Sequence, residues 1–145
     1  MMEIEVRTEV RSTEDIEKVK KAILNFFSPI SIELEELENT KIMIARGRGP
    51  SSLKKLYNAL RTQQILDAAR TYLKNGALGN TIIFHLHKQA AYVGMISFCS
   101  IPERESPLGP ITFIISTDNV KQFIDWLTPR TIKGIPVHEA SPPDP

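Results

Sequence analysis

The sequence has a single cysteine, Cys99, among its 145 residues. That excludes an intrachain disulfide and fits a reducing compartment. No apolar run approaches the roughly 20 residues that cross a bilayer; the longest, Thr81–Leu86 and Ile111–Ile115, are strand-sized. The N-terminus, Met-Met-Glu-Ile-Glu-Val, lacks the basic and apolar regions of a secretory leader. A soluble cytoplasmic protein with no membrane contact is therefore expected. Chemistry-bearing patterns are equally scarce. There is no Gly-x-Ser-x-Gly, no paired-carboxylate motif and no metal-binding Asp cluster, so no catalytic residue, cofactor or metal is expected.

One thing missing locally is acid. The formal net charge is only +1, but residues 1–40 carry ten acidic residues against five basic ones, a balance of −5. Residues 41–88 carry nine basic residues (Lys41, Arg46, Arg48, Lys54, Lys55, Arg61, Arg70, Lys74 and Lys88) against Asp67 alone, a balance of +8. Charge segregated this way within one chain points to a polyanionic partner more than its pI does. The alternative is charge scattered for solubility.

Period-two alternation over 3–10 places Ile4, Val6 and Val10 on one face of a strand. Ser12 or Thr13 would cap a helix carrying Ile16, Val19 and Ile23, stopped at Ser28-Pro29. Residues 31–37 and 41–46 read as a hairpin turning at Glu38-Asn39-Thr40. After the breaker cluster Gly47-Arg48-Gly49-Pro50, with Ser51 or Ser52 as cap, come two apolar stripes. These are Leu53, Leu56, Tyr57, Leu60 and Ile65, Leu66, Ala69, Tyr72, Leu73, out of phase at Thr62-Gln63-Gln64; two helices or one bent helix result. Strands are expected at 81–87, 96–101 and 111–116, with a loop at Pro102–Pro110. A last helix, capped by Thr117 or Asp118, ends at Thr128-Pro129. The order β-α-β-β-α(α)-β-β-β-α predicts a single α+β domain over 1–134, an antiparallel or mixed sheet with helices packed on one face. The Pro-rich tail 135–145 is expected to be disordered.

Gly47-Arg48-Gly49-Pro50 has neither the spacing nor the Lys-Ser/Thr of a phosphate loop. Its glycines are explained by a tight turn, although a helix N-terminus beside Arg46 and Arg48 also suits an anion. Lys54, Lys55, Arg61, Arg70 and Lys74 fall outside the apolar stripes, and Lys54 and Arg61, seven apart, share a helix face. This favours phosphate contact over solubility. His85 and His87 alternate onto one strand face; zinc would need further ligands, with only Cys99 and His138 in reserve. Tyr92 suits either the core or stacking on an unpaired base. Asp67 is expected to pair with Arg70 or Arg61.

Five segments in order resemble a family of small uncharacterised archaeal proteins: Ser12–Asp15, Arg61–Arg70, Leu86–Gly94, Ser106–Ile111 and Asp125–Thr131. Where this chain has His87 the family often has Asn, which argues further against a metal role. The resemblance implies a ribosomal protein L-five-like fold and RNA binding. The expected partner is RNA, ribosomal or otherwise structured, met by Arg46, Arg48, Lys54, Lys55, Arg61, Arg70, Lys74, His87 and Lys88. The alternative is an assembly module whose basic face meets an acidic protein. A homodimer is compatible with either.

Overall fold

The computed structural model describes residues 2–100 and 109–143. Alternation along β1 (Glu3–Val10) buries Ile4, Val6 and Val10 and turns Glu3, Glu5, Arg7 and Glu9 the other way. Thr8 also points inward, and its hydroxyl donates to the Pro110 carbonyl at 3.0 Å, which satisfies a buried polar group. α1 (Ile16–Leu24) follows. Its cap is Asp15, whose carboxylate accepts from the Glu17 N–H at 2.9 Å, rather than Ser12 or Thr13. A carboxylate at this position also favours the positive end of the helix dipole.

β2 (Ser31–Glu36) and β3 (Lys41–Arg48) form the expected hairpin. The chain then makes a 3-10 turn over Pro50–Leu53, with the Ser52 hydroxyl bonded to the Gly49 carbonyl instead of capping a helix. α2 (Lys54–Thr62) and α3 (Leu66–Asn75) are separate helices. They break at Gln64, whose φ is 55°, where the two apolar stripes lose phase. β4 (Ala77–Leu78), β5 (Thr81–His87), α4 (Lys88–Tyr92), β6 (Pro110–Ser116) and α5 (Val120–Leu127) follow. A small hairpin of β7 (Thr131–Ile132) and β8 (Ile135–Pro136) comes last. Asn119, not Thr117 or Asp118, caps α5.

The six-stranded sheet is antiparallel throughout, in the order β2-β3-β1-β6-β5-β4. Its inner face and the helices share one core, in which Phe27 and Phe113 meet edge to face at 6.1 Å and Phe84 stacks on Phe113 at 5.0 Å. Burying each such ring contributes about 1.5–3 kcal/mol. Gly47 belongs to β3 and makes room for Phe27, since a Cβ there would lie 2.8 Å from its ring.

Two expectations need correction. The strand expected at 96–101 is a single bridge, Leu86 to Phe98, among its described residues. β4 already pairs with Thr81 and Ile82 on that edge, so the returning chain bonds only at His85 and His87. The tail expected to be disordered is laid across the helices: β8 pairs with β7, and Gln122 donates to the carbonyls of Ser141 and Pro142. Most of the loop expected at Pro102–Pro110 lies outside the described residues. No helix among the described residues is long and apolar enough to cross a membrane.

Candidate nucleic-acid interface

Strand periodicity and the turn at Gly49 divide the basic stretch between two sides of the sheet. Arg46 and Arg48 point to the open face, away from the helices. That face also carries Glu3, Glu5 and Glu9 from β1 and Glu33 and Glu35 from β2, so acid outnumbers base. Arg46 lies between Glu5 at 3.4 Å and Glu33 at 3.2 Å, and Arg7 reaches Glu5 at 3.7 Å. Arg46 is therefore held by carboxylates of both neighbouring strands, and Arg7 by one of its own strand. His85 and His87 lie on the same face, and His85 Nδ1 is 2.8 Å from the Thr112 hydroxyl. The basic residues expected to meet RNA thus do not form one continuous patch.

Three of the expected RNA contacts have structural partners. Lys88 is 3% exposed, and its ammonium donates to Glu14 at 3.1 Å and to the Glu9 carbonyl at 2.7 Å. Burial pulls its pKa below the ordinary lysine value, and the Glu14 carboxylate opposes that shift. Arg70 bonds Asp125 and the Thr128 carbonyl, both at 2.8 Å, and ties α3 to α5. The expected Asp67–Arg70 pair is absent because Asp67 instead accepts from the Thr131 hydroxyl. Arg61 is held by Glu139 of the tail at 2.7 Å. Its hydrogen bond drives the Glu139 carboxyl below the usual range, while burial raises the Tyr57 hydroxyl beside it.

The helical side differs in composition. α2 reads Lys-Lys-Leu-Tyr-Asn-Ala-Leu-Arg-Thr: Leu56 and Leu60 are buried, Lys54, Lys55 and Asn58 are exposed, and there is no acid. Lys55 donates to the Leu24 carbonyl at the end of α1 (2.8 Å), which ties α2 to the C-terminal end of that helix. On α1, Lys18 and Lys21 share an exposed face and approach the Tyr92 ring at 5.9 and 5.0 Å. Asn25 holds α4 in place through the Ala91 and Tyr92 carbonyls. A groove of about 470 Å³ runs between α1 and α4, with Val19 and Ala22 as its floor and Lys18, Gln89 and Tyr92 at its rim. Lys55 thus reaches the end of α1, the helix that carries Lys18 and Lys21 beside Tyr92, whereas Lys74 lies on α3. The acidic balance of residues 1–40 hid Lys18 and Lys21. Their i, i+3 spacing on a solvent-facing stripe was the signal available.

Known proteins resemble this chain over most of its length. A family model described as RNA binding matches residues 3–117. A UPF0201 protein of Pyrobaculum islandicum is 51% identical over 144 residues, which cover 99% of this chain and 100% of that one. A UPF0201 protein of Aeropyrum pernix is 45% identical over 142 residues, covering 97% and 94%. The crystal structure of a UPF0201 protein from Methanococcus jannaschii superposes with a TM-score of 0.83 at 35% identity, covering 94% of this chain and 99% of that one.

Proposed function

The chain belongs to the UPF0201 family, and from that premise we propose that it binds RNA, without catalysis, through the basic band formed by α1, α2 and Tyr92. One observation carries this reading. Lys54 and Lys55 lie on a helix with no acid, and Lys55 reaches the end of α1, whose Lys18 and Lys21 converge on an aromatic ring. Lysines on a helix without acid, as on α2, attract phosphate by charge and release counterions on binding. Tyr92 at the groove rim offers a face for an unpaired base. The open sheet face, where carboxylates outnumber cations, repels the same backbone.

The experiment is anisotropy with single-stranded and duplex RNA across a salt series. If Lys18, Lys21, Lys54 and Lys55 each meet a phosphate, log K should fall with log[salt] at a slope of roughly −3. Tyr92→Ala should cost about 1–3 kcal/mol on single strands, where bases stack, and little on duplex. Lys54→Glu with Lys55→Glu should weaken all RNAs alike, because phosphate contacts position without specifying. A folded double variant with unchanged affinity and slope would overturn the proposal and favour an acidic protein partner.

A further inference from the structure

Arg61 uses all five of its N–H groups. Nη1 donates to the Tyr57 and Leu127 carbonyls at 3.0 and 3.3 Å, and Nη2 donates to the Trp126 carbonyl at 3.3 Å. The guanidinium carbon sits 3.4 Å from the centre of the Tyr57 ring, which itself stacks on Trp126 at 5.4 Å. α2 and the end of α5 thereby fix both the position and the plane of the group. The edge left over is Nε with the second hydrogen of Nη2, a side-on fork that matches two oxygens of a carboxylate or a phosphate. Glu139 fills it, at 2.9 and 2.7 Å.

The preparation is all on the side of the arginine. Its side chain is 18% exposed, against 47% for Glu139. The tail's other ties nearby are the Val137 N–H to the Arg130 carbonyl at 2.9 Å, the Tyr57 hydroxyl at 3.3 Å from Glu139, Gln122 to the Ser141 and Pro142 carbonyls at 3.3 and 3.2 Å, and the buried Pro143. The carboxylate is the solvated half of the pair and so the half that can leave, although the bidentate geometry makes the pair stronger than an ordinary surface one. Arg61 also lies two turns beyond Lys54 on α2, about 10.5 Å along the axis.

We propose that Arg61 is a preformed oxyanion site, that the Glu139 carboxylate occupies it as an intramolecular stand-in, and that a phosphate of bound RNA displaces it. This rests on the RNA reading above and extends the band along α2. The tail then acts as a competitor, and only the fraction of molecules with it undocked offers the extra contact. A tail docked in about 70–90% of molecules would weaken RNA binding about three- to tenfold.

Two probes on the full chain test this, inorganic phosphate and a single-stranded oligouridylate, for wild type, Glu139→Gln and Gln122→Ala. The first variant removes the stand-in charge; the second loosens residues 141 and 142 without touching the ion pair. Phosphate should move the Arg61 Nε–H resonance of Glu139→Gln well before that of wild type. The oligonucleotide should bind Glu139→Gln about three- to tenfold tighter, with Gln122→Ala between the two. An Arg61 signal indifferent to phosphate in a folded Glu139→Gln protein overturns the site. Equal oligonucleotide affinity in wild type and both variants, with the wild type still sensitive to Lys54→Glu and Lys55→Glu, overturns the displacement while leaving the band intact. If no form binds the oligonucleotide although phosphate moves Arg61, RNA is overturned as the ligand, and the reading of the band falls with it.

Discussion

The open face of the sheet and the α1–α2 surface draw on the same basic stretch of sequence and use it in opposite ways. On the sheet, Arg46 is matched across the strands by Glu5 and Glu33, and Arg7 by Glu5 of its own strand. On α2 the cations have no acid on their own helix, and the lysines of α1 add to them. The strand side neutralises itself through cross-strand pairs. The helix side accumulates charge because the i+3 and i+4 neighbours of Lys54 and Lys55 are Tyr57, Asn58 and Ala59, none of them acidic. Net charge over a segment therefore locates a polyanion site only after the chain's turns are known; here the turn at Gly49 separates Arg48 from Lys54.

The largest effect should come from a cation that neither surface exposes. Lys88→Met leaves the Glu14 carboxylate and the Glu9 carbonyl without their ammonium, and breaking a buried pair on one side costs about 3–5 kcal/mol. Urea unfolding measures it. Adding Glu14→Leu should recover much of the loss, since a buried pair replaced by apolar groups is often neutral. Lys54→Met, by contrast, should change stability by no more than about 0.5 kcal/mol. If the two lysines prove equivalent in stability, the division between structural and surface cations fails.

The comparison of the two faces breaks more directly on RNA affinity. Reversing Lys54 and Lys55 together should weaken binding roughly ten- to hundredfold at low salt. Reversing Arg7 or Arg46 on the sheet should change it by less than about twofold, the sheet face being turned away and screened over a Debye length of about 10 Å. Filter binding at fixed salt decides this. A larger loss from Arg46→Glu than from the lysine pair would move the interface to the sheet.

Most of the fold was legible in the sequence, because strand alternation and two out-of-phase helical stripes fix element types and which faces are buried. The α+β architecture, the β2–β3 hairpin and the α2–α3 break at Gln64 all followed from periodicity. What escaped depends on tertiary pairing. The segment around Phe98 is β-prone, yet little edge remains open to it beside β4. The tail is Pro-rich and polar, yet Arg61, Gln122 and the β7–β8 hairpin hold it. The candidate site was legible only in part. Lys54 and Lys55 were readable from their place outside the apolar stripe. Lys88 looked equally free and Arg61 and Arg70 were matched only with Asp67, whereas their distant partners Glu14, Glu139 and Asp125 are what distinguish them.

The smallest effect is the one that isolates the tail. Glu139 titrates below its ordinary value of 4.5, first because Arg61 donates to it, with burial opposing and the charge of Arg61, the Tyr57 hydroxyl and the charge of His138 assisting. A carboxyl whose folded value is depressed stabilises the docked tail fully above the unfolded value; that contribution is lost as pH falls through the folded one. The window therefore lies below pH 4.5 and leaves neutral pH untouched. Trp126 is the sole tryptophan and stacks on Tyr57 directly beneath the guanidinium, so its emission reports the fork. Acid titration of the wild type should show a small change in Trp126 emission in that window, ahead of any loss of far-ultraviolet circular dichroism. Glu139→Gln should lack this early step and keep the later one. An early step that persists in Glu139→Gln would assign it to another carboxyl, and Glu139 would then have no measurable hold on Arg61.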